Sequence, residues 1–187
     1  QLLDMAPERY EVTVIGEEPW GNYNRIMLSP VLSGEKTIED IMLHPHAWYS
    51  DKGIKFIAQD PAVKIDRTRK VVHTEKGERI DYDRLIIATG SKPFIPPVQG
   101  ADLNGVISFR DIYDVNTMVK YCETKKNAVV IGGGLLGLEA AYGLKQRGMN
   151  VTVLHLMDRI MDRQLDKRAS EMLRHSIEPV SYTHLTL

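Results

Sequence analysis

The sequence predicts an α/β fold with two Rossmann-like dinucleotide-binding units, and three observations carry that prediction. VVIGGGLLGLEAAYGL, residues 129–144, reads as strand, glycine turn and helix. VTVIGEE, residues 12–18, reads as a buried strand that stops at two acids. LIIA, residues 85–88, is a continuous apolar run of the kind found in a parallel strand covered on both faces. The glycine fingerprint stands more than a hundred residues into the chain, after a strand that already ends in acids. The second unit therefore reads as one that interrupts the first.

Taken in order, QLLDMA is the end of a helix broken at Pro7, followed by the strand near residues 11–16. That strand is the second half of a βαβ unit, whose first strand and glycine turn are expected about 20 residues upstream of the acids, before residue 1. A loop rich in polar and turn residues comes next. TIEDIMLHPHAWYSDKG has helix-like apolar spacing interrupted by Pro45. Residues 54–81 give short β-rich runs separated by DRTR and EKGE, a small antiparallel meander that leads into the run at 85–88. SKPFIPPVQG is too rich in proline and glycine to be regular and reads as a crossover between domains. DIYDVNTMVKYCETKKN is an amphipathic helix. Then come the fingerprint strand, its helix to about Arg147, a Gly148 cap, a strand over 151–155, and a loop and helix over 158–178. PVSYTHLTL continues no pattern.

Composition narrows the function classes. Charge is balanced, 24 basic against 25 acidic residues, so no field favours nucleic acid or an acidic membrane. A single cysteine, Cys122, excludes an internal disulfide framework within these residues and fits a reducing compartment; the reading is cytoplasmic. No apolar run approaches the roughly 18 residues of a membrane span.

Chemistry concentrates in GGGLLG. Gly132, Gly134 and Gly137 stand in GxGxxG register between strand and helix. The first allows the tight turn, the second lets backbone approach a pyrophosphate, and the third lets helix and strand pack, while the helix amino end supplies N–H donors. Glu139 fits either a helix-dipole role or a ligand contact. Where an acid would bind the ribose at the end of the second strand, the sequence has His155, so the choice between NADH and NADPH stays open. Arg159 and Arg163 downstream fit a solvated charged loop better than a phosphate site. Glu17 and Glu18 hold the matching address in the first unit, where a carboxylate holds an adenosine ribose; exposed strand-end acids are the plainer alternative. His44 and His46 lack a second ligand cluster, so no metal site is read. Cys122 reads as a packing residue, and Met157 and Met161 as core spacing.

NYNRIMLSPVLSGE, ATGS at 88–91 and GGGLLGLEAA, in this order and spacing, resemble the two-dinucleotide-domain flavoprotein reductases. With VTVIGEEP and VTVLHLMDRIMDRQLD, the chain looks most like the amino-terminal region of the NAD(P)H-dependent nitrite reductase large subunits over residues 1 to about 178. The resemblance implies an FAD/NAD(P)-binding fold. FAD occupies the first unit, residues 1–110, and NAD(P)H the second, residues 111–178; residues 179–187 stay unassigned, SYTHLTL reading as translated adaptor sequence. It implies that Glu17 and Glu18 meet the FAD ribose, Arg25 and Ser29 approach its diphosphate and flavin, and Val63 offers backbone to the adenine. Ala88, Thr89 and Gly90 return the chain to FAD, and Arg110 reaches the flavin. Gly132, Gly133, Gly134, Leu135, Leu136, Gly137 and Glu139 serve the nicotinamide nucleotide.

The implied activity is hydride transfer from NAD(P)H to FAD, with electrons passed to iron-sulfur and sirohaem centres elsewhere in the full protein for reduction of nitrite to ammonia. No acid, base or nucleophile is assigned, because hydride transfer needs none. Pro30 stands where ferredoxin-reductase-like relatives often have lysine, which separates this chain from them. Alternatives are a stand-alone NAD(P)H reductase of rubredoxin- or ferredoxin-type carriers and a non-catalytic flavin-binding redox sensor. A small nitrite reductase subunit or a second copy of the chain are the implied protein partners. The 187-residue piece alone is expected to be poorly active.

Overall fold

A computed structural model describes residues 2–6, 8–177 and the backbone of 184–186. Two compact units divide the chain: Gln1–Asn24 with Met42–Ser91, and Arg25–Ile41 with Lys92–Leu187. This division follows packing and crosses the boundary that the cofactor reading draws at residue 110.

In the first unit, the short helix α1 (Leu2–Met5) precedes β1 (Thr13–Ile15); Pro7, read as the break between them, lies outside the described residues. β1 pairs in parallel with β4 (Lys55–Ile57), Val14 opposite Phe56. The run around Pro45 is only half helical. β3 (Met42–His44) pairs antiparallel with β2 (Asn22–Tyr23), and α3 (His46–Asp51) starts directly after Pro45, since a residue before proline is held extended while proline itself suits a helix start. α3 packs Tyr49 onto Phe56 of β4, rings stacked at 4.4 Å. The meander forms as expected: β5 (Ala62–Asp66), β6 (Val71–Thr74) and β7 (Arg79–Asp81) are antiparallel in that order, with Val71 and Val72 of β6 buried.

One prediction fails here. Residues 85–88 form no strand, and Ile86 and Ile87 are exposed. A parallel strand exists only by pairing, and among the described residues no strand lies beside this run.

In the second unit, the predicted loop after the first acids contains a helix, α2 (Leu28–Ser33). Pro30 falls in its first turn, where proline is tolerated, and Leu28, Val31 and Leu32 are buried. Gly34 ends it in the left-handed region at φ 88°. Residues 92–111 are irregular, as their prolines and glycines predict. α4 (Ile112–Thr124) begins at Asp111, whose carboxylate accepts from the Asp114 N–H at 2.9 Å, and buries Ile112, Val115 and Met118 along one face. β8 (Asn127–Ile131), α5 (Leu135–Gln146) and β9 (Asn150–His155) make the predicted βαβ unit, with β8 and β9 parallel, Val130 opposite Val153. α5 buries Ala140, Ala141 and Leu144, and β9 buries Val151 and Val153.

α2 packs on α5 at Gly143, where a side chain would meet Leu32 Cγ at 2.7 Å. Arg147 ties the pair further, its guanidinium donating to the carbonyls of Leu32 at 2.6 Å and Val31 at 3.1 Å. α6 (Lys167–Ile177) closes the helical part. Residues 184–186 form β10, parallel to β9, within a tail in which the sequence shows no element; the rest of that tail lies outside the described residues. Met157 and Met161 are not core residues on a helix. Both lie in the turn region after β9, Met157 is 49% exposed, and Met161 has φ 53°.

Candidate nucleotide site

The glycine turn of the second unit is built by close approach. Gly132 leaves β8 with φ 128°, a conformation that a side chain disfavours, and its N–H donates to the Leu154 carbonyl at 2.8 Å. A Cβ on Gly137 would stand 1.9 Å from the Gly132 carbonyl oxygen, so only glycine lets α5 seat against the turn. Gly134 differs: a Cβ there would meet nothing within 4 Å. The middle glycine faces open space at the amino end of a twelve-residue helix whose first residues, Leu135 and Leu136, are exposed. Unpaired N–H groups and the positive end of the helix dipole make such a place suited to a diphosphate. This combination, a sealed third glycine and an open second one, fits a dinucleotide better than a merely tight turn.

His155 stands at the end of β9, and both its ring nitrogens are engaged. Nδ1 accepts the Gly133 N–H at 3.0 Å, and Nε2 lies 3.2 Å from Asp162 Oδ1. The ring presses on the turn, since a Cβ on Gly133 would come 2.8 Å from its Cγ. A histidine bound in this way has no ring nitrogen left for a ribose hydroxyl. Asp162, which no sequence pattern singles out, is brought to His155 by the loop after β9.

Two further expected residues meet through α2. The Ser29 hydroxyl donates to Glu139 Oε2 at 2.6 Å, joining α2 to α5 across 110 residues of sequence. The Arg25 guanidinium donates to the Arg110 carbonyl at 3.1 Å, and the Arg110 N–H donates to Asp114 Oδ2 at 2.7 Å. The Asp114 carboxyl also accepts the Ser108 hydroxyl at 2.8 Å, and burial pushes its pKa above the ordinary carboxylate value. Arg110 is thereby held at both backbone groups.

In the first unit, Glu17 is exposed just beyond β1, and Glu18 Oε2 accepts the Tyr23 hydroxyl at 2.6 Å. Val63 lies on β5, 62% exposed, and Ala88, Thr89 and Gly90 are exposed in irregular chain. His44 Nδ1 lies 3.4 Å from Asn22 Nδ2, and His46 Nε2 2.6 Å from the Pro19 carbonyl. The Cys122 thiol contacts Met149 Sδ at 3.4 Å, and burial pushes its pKa up, the behaviour of a packing residue. Among the described residues no helix is long and apolar enough to cross a membrane.

A family model described as pyridine nucleotide-disulphide oxidoreductase matches residues 2–179. The nitrite reductase [NAD(P)H] of Bacillus subtilis (strain 168) is 45% identical over 185 residues, covering 99% of this chain and 23% of that protein. The assimilatory nitrate reductase electron transfer subunit of the same organism is 41% identical over 99% of this chain and 24% of its own length. Among solved structures, NADH:rubredoxin oxidoreductase from Clostridium acetobutylicum superposes with a TM-score of 0.85 at 30% identity, over 94% of this chain and 46% of that one. The chain thus spans about a quarter of the curated relatives it matches. With the family model covering nearly all of it, the chain belongs to the pyridine nucleotide-disulphide oxidoreductase family.

Proposed function

We propose that the chain is the nucleotide-binding part of an NAD(P)H-dependent flavoprotein oxidoreductase of the nitrite reductase large-subunit kind. Residues 1–110 serve FAD and residues 111–178 the nicotinamide nucleotide. The observation that carries the reading is the glycine turn, where Gly137 is sealed by the Gly132 carbonyl and Gly134 faces open space. Names of relatives support the same direction, since one is a nitrite reductase [NAD(P)H] and another an electron transfer subunit.

Bound nicotinamide nucleotide and FAD would supply hydride-transfer and electron-transfer chemistry, serving iron-sulfur and sirohaem centres elsewhere in the full protein. The chain's own residues bind and orient. The amino end of α5 and the Gly132–Gly137 turn hold the nicotinamide nucleotide's diphosphate. Glu139, oriented by Ser29, stands one turn further along the same helix. Glu17 and Glu18 hold the FAD ribose, Arg25 and Arg110 flank the flavin region, and Val63 with residues 88–90 offers backbone. No step requires a proton-transfer residue. The full protein works in the cytoplasm and passes electrons to a protein or domain that carries the acceptor centres.

A stand-alone reductase of rubredoxin-type carriers is a second reading, favoured by the likeness to NADH:rubredoxin oxidoreductase. Pro30, where ferredoxin-reductase-like relatives often have lysine, weighs against a reductase of ferredoxin-type carriers. A redox sensor is the third. Stopped-flow mixing of the full-length protein with NADH and with NADPH tests the proposal. Flavin bleaching on the millisecond-to-second scale supports it, and no bleaching with either nucleotide sinks it. Nitrite-dependent reoxidation separates nitrite reductase from carrier reductase.

A further inference from the structure

Rossmann-type sites hold the adenosine ribose with a carboxylate at the end of the second strand, and β9 ends in His155 instead. We infer that Asp162, held by His155, supplies that carboxylate, and that it makes the site select NADH over NADPH. The inference rests on the nicotinamide reading above and names the residue that gives that site its specificity.

The hydrogen bonds fix the charge state. A backbone N–H only donates, so the bond from Gly133 at 3.0 Å requires an unprotonated Nδ1. The imidazole is neutral, carries its proton on Nε2, and donates it to Asp162 Oδ1 at 3.2 Å. A neutral ring offers no positive charge to a 2'-phosphate, whereas the carboxylate behind it offers a fixed negative one. Among the described residues the one side-chain hydrogen bond of Asp162 is at Oδ1, which leaves Oδ2 for a ribose hydroxyl.

Position follows from the loop's anchors. The Met161 N–H donates to the Gly133 carbonyl at 2.8 Å, tying the residue before Asp162 to the glycine turn. The Ser170 hydroxyl of α6 donates to the Ile160 carbonyl at 2.7 Å in a buried bond, and Ile160 is 3% exposed. Asp162 is therefore held one imidazole's width from the turn, its side chain 20% exposed. Neighbouring Asp158 is 78% exposed and contacts Arg159 at 3.7 Å. That arginine's other terminal nitrogen donates to the Asp162 carbonyl at 3.4 Å, while its Nε is buried without a hydrogen-bond partner. Arg163 is exposed.

The test is flavin reduction in the full-length flavoprotein, with NADH and NADPH compared by stopped flow. The native protein is expected to favour NADH by about 10-fold or more in the ratio of limiting rate to apparent Kd. Asp162→Asn should weaken NADH binding and lower the NADH/NADPH ratio about 10-fold. Asp158→Asn, the exposed neighbour, should leave the ratio where it was. If Asp162→Asn does not hold flavin, Asp162→Ser is measured in its place. A native preference for NADPH, an unchanged ratio on removing the Asp162 charge, or an equal shift with Asp158→Asn overturns the inference. Flavin that neither nucleotide reduces sinks the oxidoreductase reading instead.

Discussion

A single methyl group separates two glycines that look alike in the fingerprint. Added at Gly137 it runs into the Gly132 carbonyl at 1.9 Å, and added at Gly134 it meets nothing within 4 Å. Gly137→Ala must therefore push α5 away from the turn, and a loss of about 1–3 kcal/mol in urea unfolding is expected. Gly134→Ala keeps an ordinary backbone, φ −84°, and should unfold at the same urea concentration as the native protein. Its nucleotide affinity, measured by titration of the full-length protein, should nevertheless fall, because the new methyl enters the open space proposed for the diphosphate. Equal affinity for Gly134→Ala and native protein would show that the open space is not the cofactor's. Both glycines were legible from spacing alone. The place of Asp162 was not, because its contact depends on a histidine seven residues away and on a loop that no periodicity describes.

Among the elements, the meander turn between β5 and β6 makes its own pH dependence. Asp66 Oδ1 accepts the N–H groups of Arg69 at 2.9 Å and Thr68 at 3.0 Å. The bond from Arg69 leads the effects that hold its carboxyl below the ordinary value of 3.8. A depressed folded pKa gives stability that is present above pH 3.8 and is lost as pH falls through the folded value. Asp66→Asn keeps an acceptor oxygen but cannot titrate, so its acid-unfolding curve should be shallower below that pH than the native one. Identical acid curves for the two proteins would remove Asp66 from the account. At this scale the sequence was read well where periodicity is long: α4, α5, β8, β9 and the meander stand where expected. It was read poorly for α2, a six-residue helix whose polar and turn-forming surroundings masked three buried apolar residues.

For the whole molecule, the apolar surface is the quantity that matters. Ile86 and Ile87 of the first unit are 85% and 68% exposed, and Val129 and Ile131 of the second are 61% and 60% exposed. These are strand-type residues without cover, and the chain spans about a quarter of its curated relatives. Purified alone, the 187-residue chain is expected to bind a hydrophobic dye such as ANS strongly and to self-associate on size-exclusion chromatography. The full-length protein should do neither, and a monomeric, dye-silent 187-residue chain would contradict this. The sequence by itself determined the α/β class, the βαβ unit and the place of its glycine turn, because these follow from apolar period and from glycine's missing side chain, which act over a few residues. Only the tertiary structure decided that Ser29 meets Glu139, that Arg147 secures α2, that residues 85–88 lack a partner, and that His155 turns inward to Gly133 and Asp162. Each of these depends on which distant or irregularly spaced group the fold brings within hydrogen-bonding reach, and no local pattern encodes that.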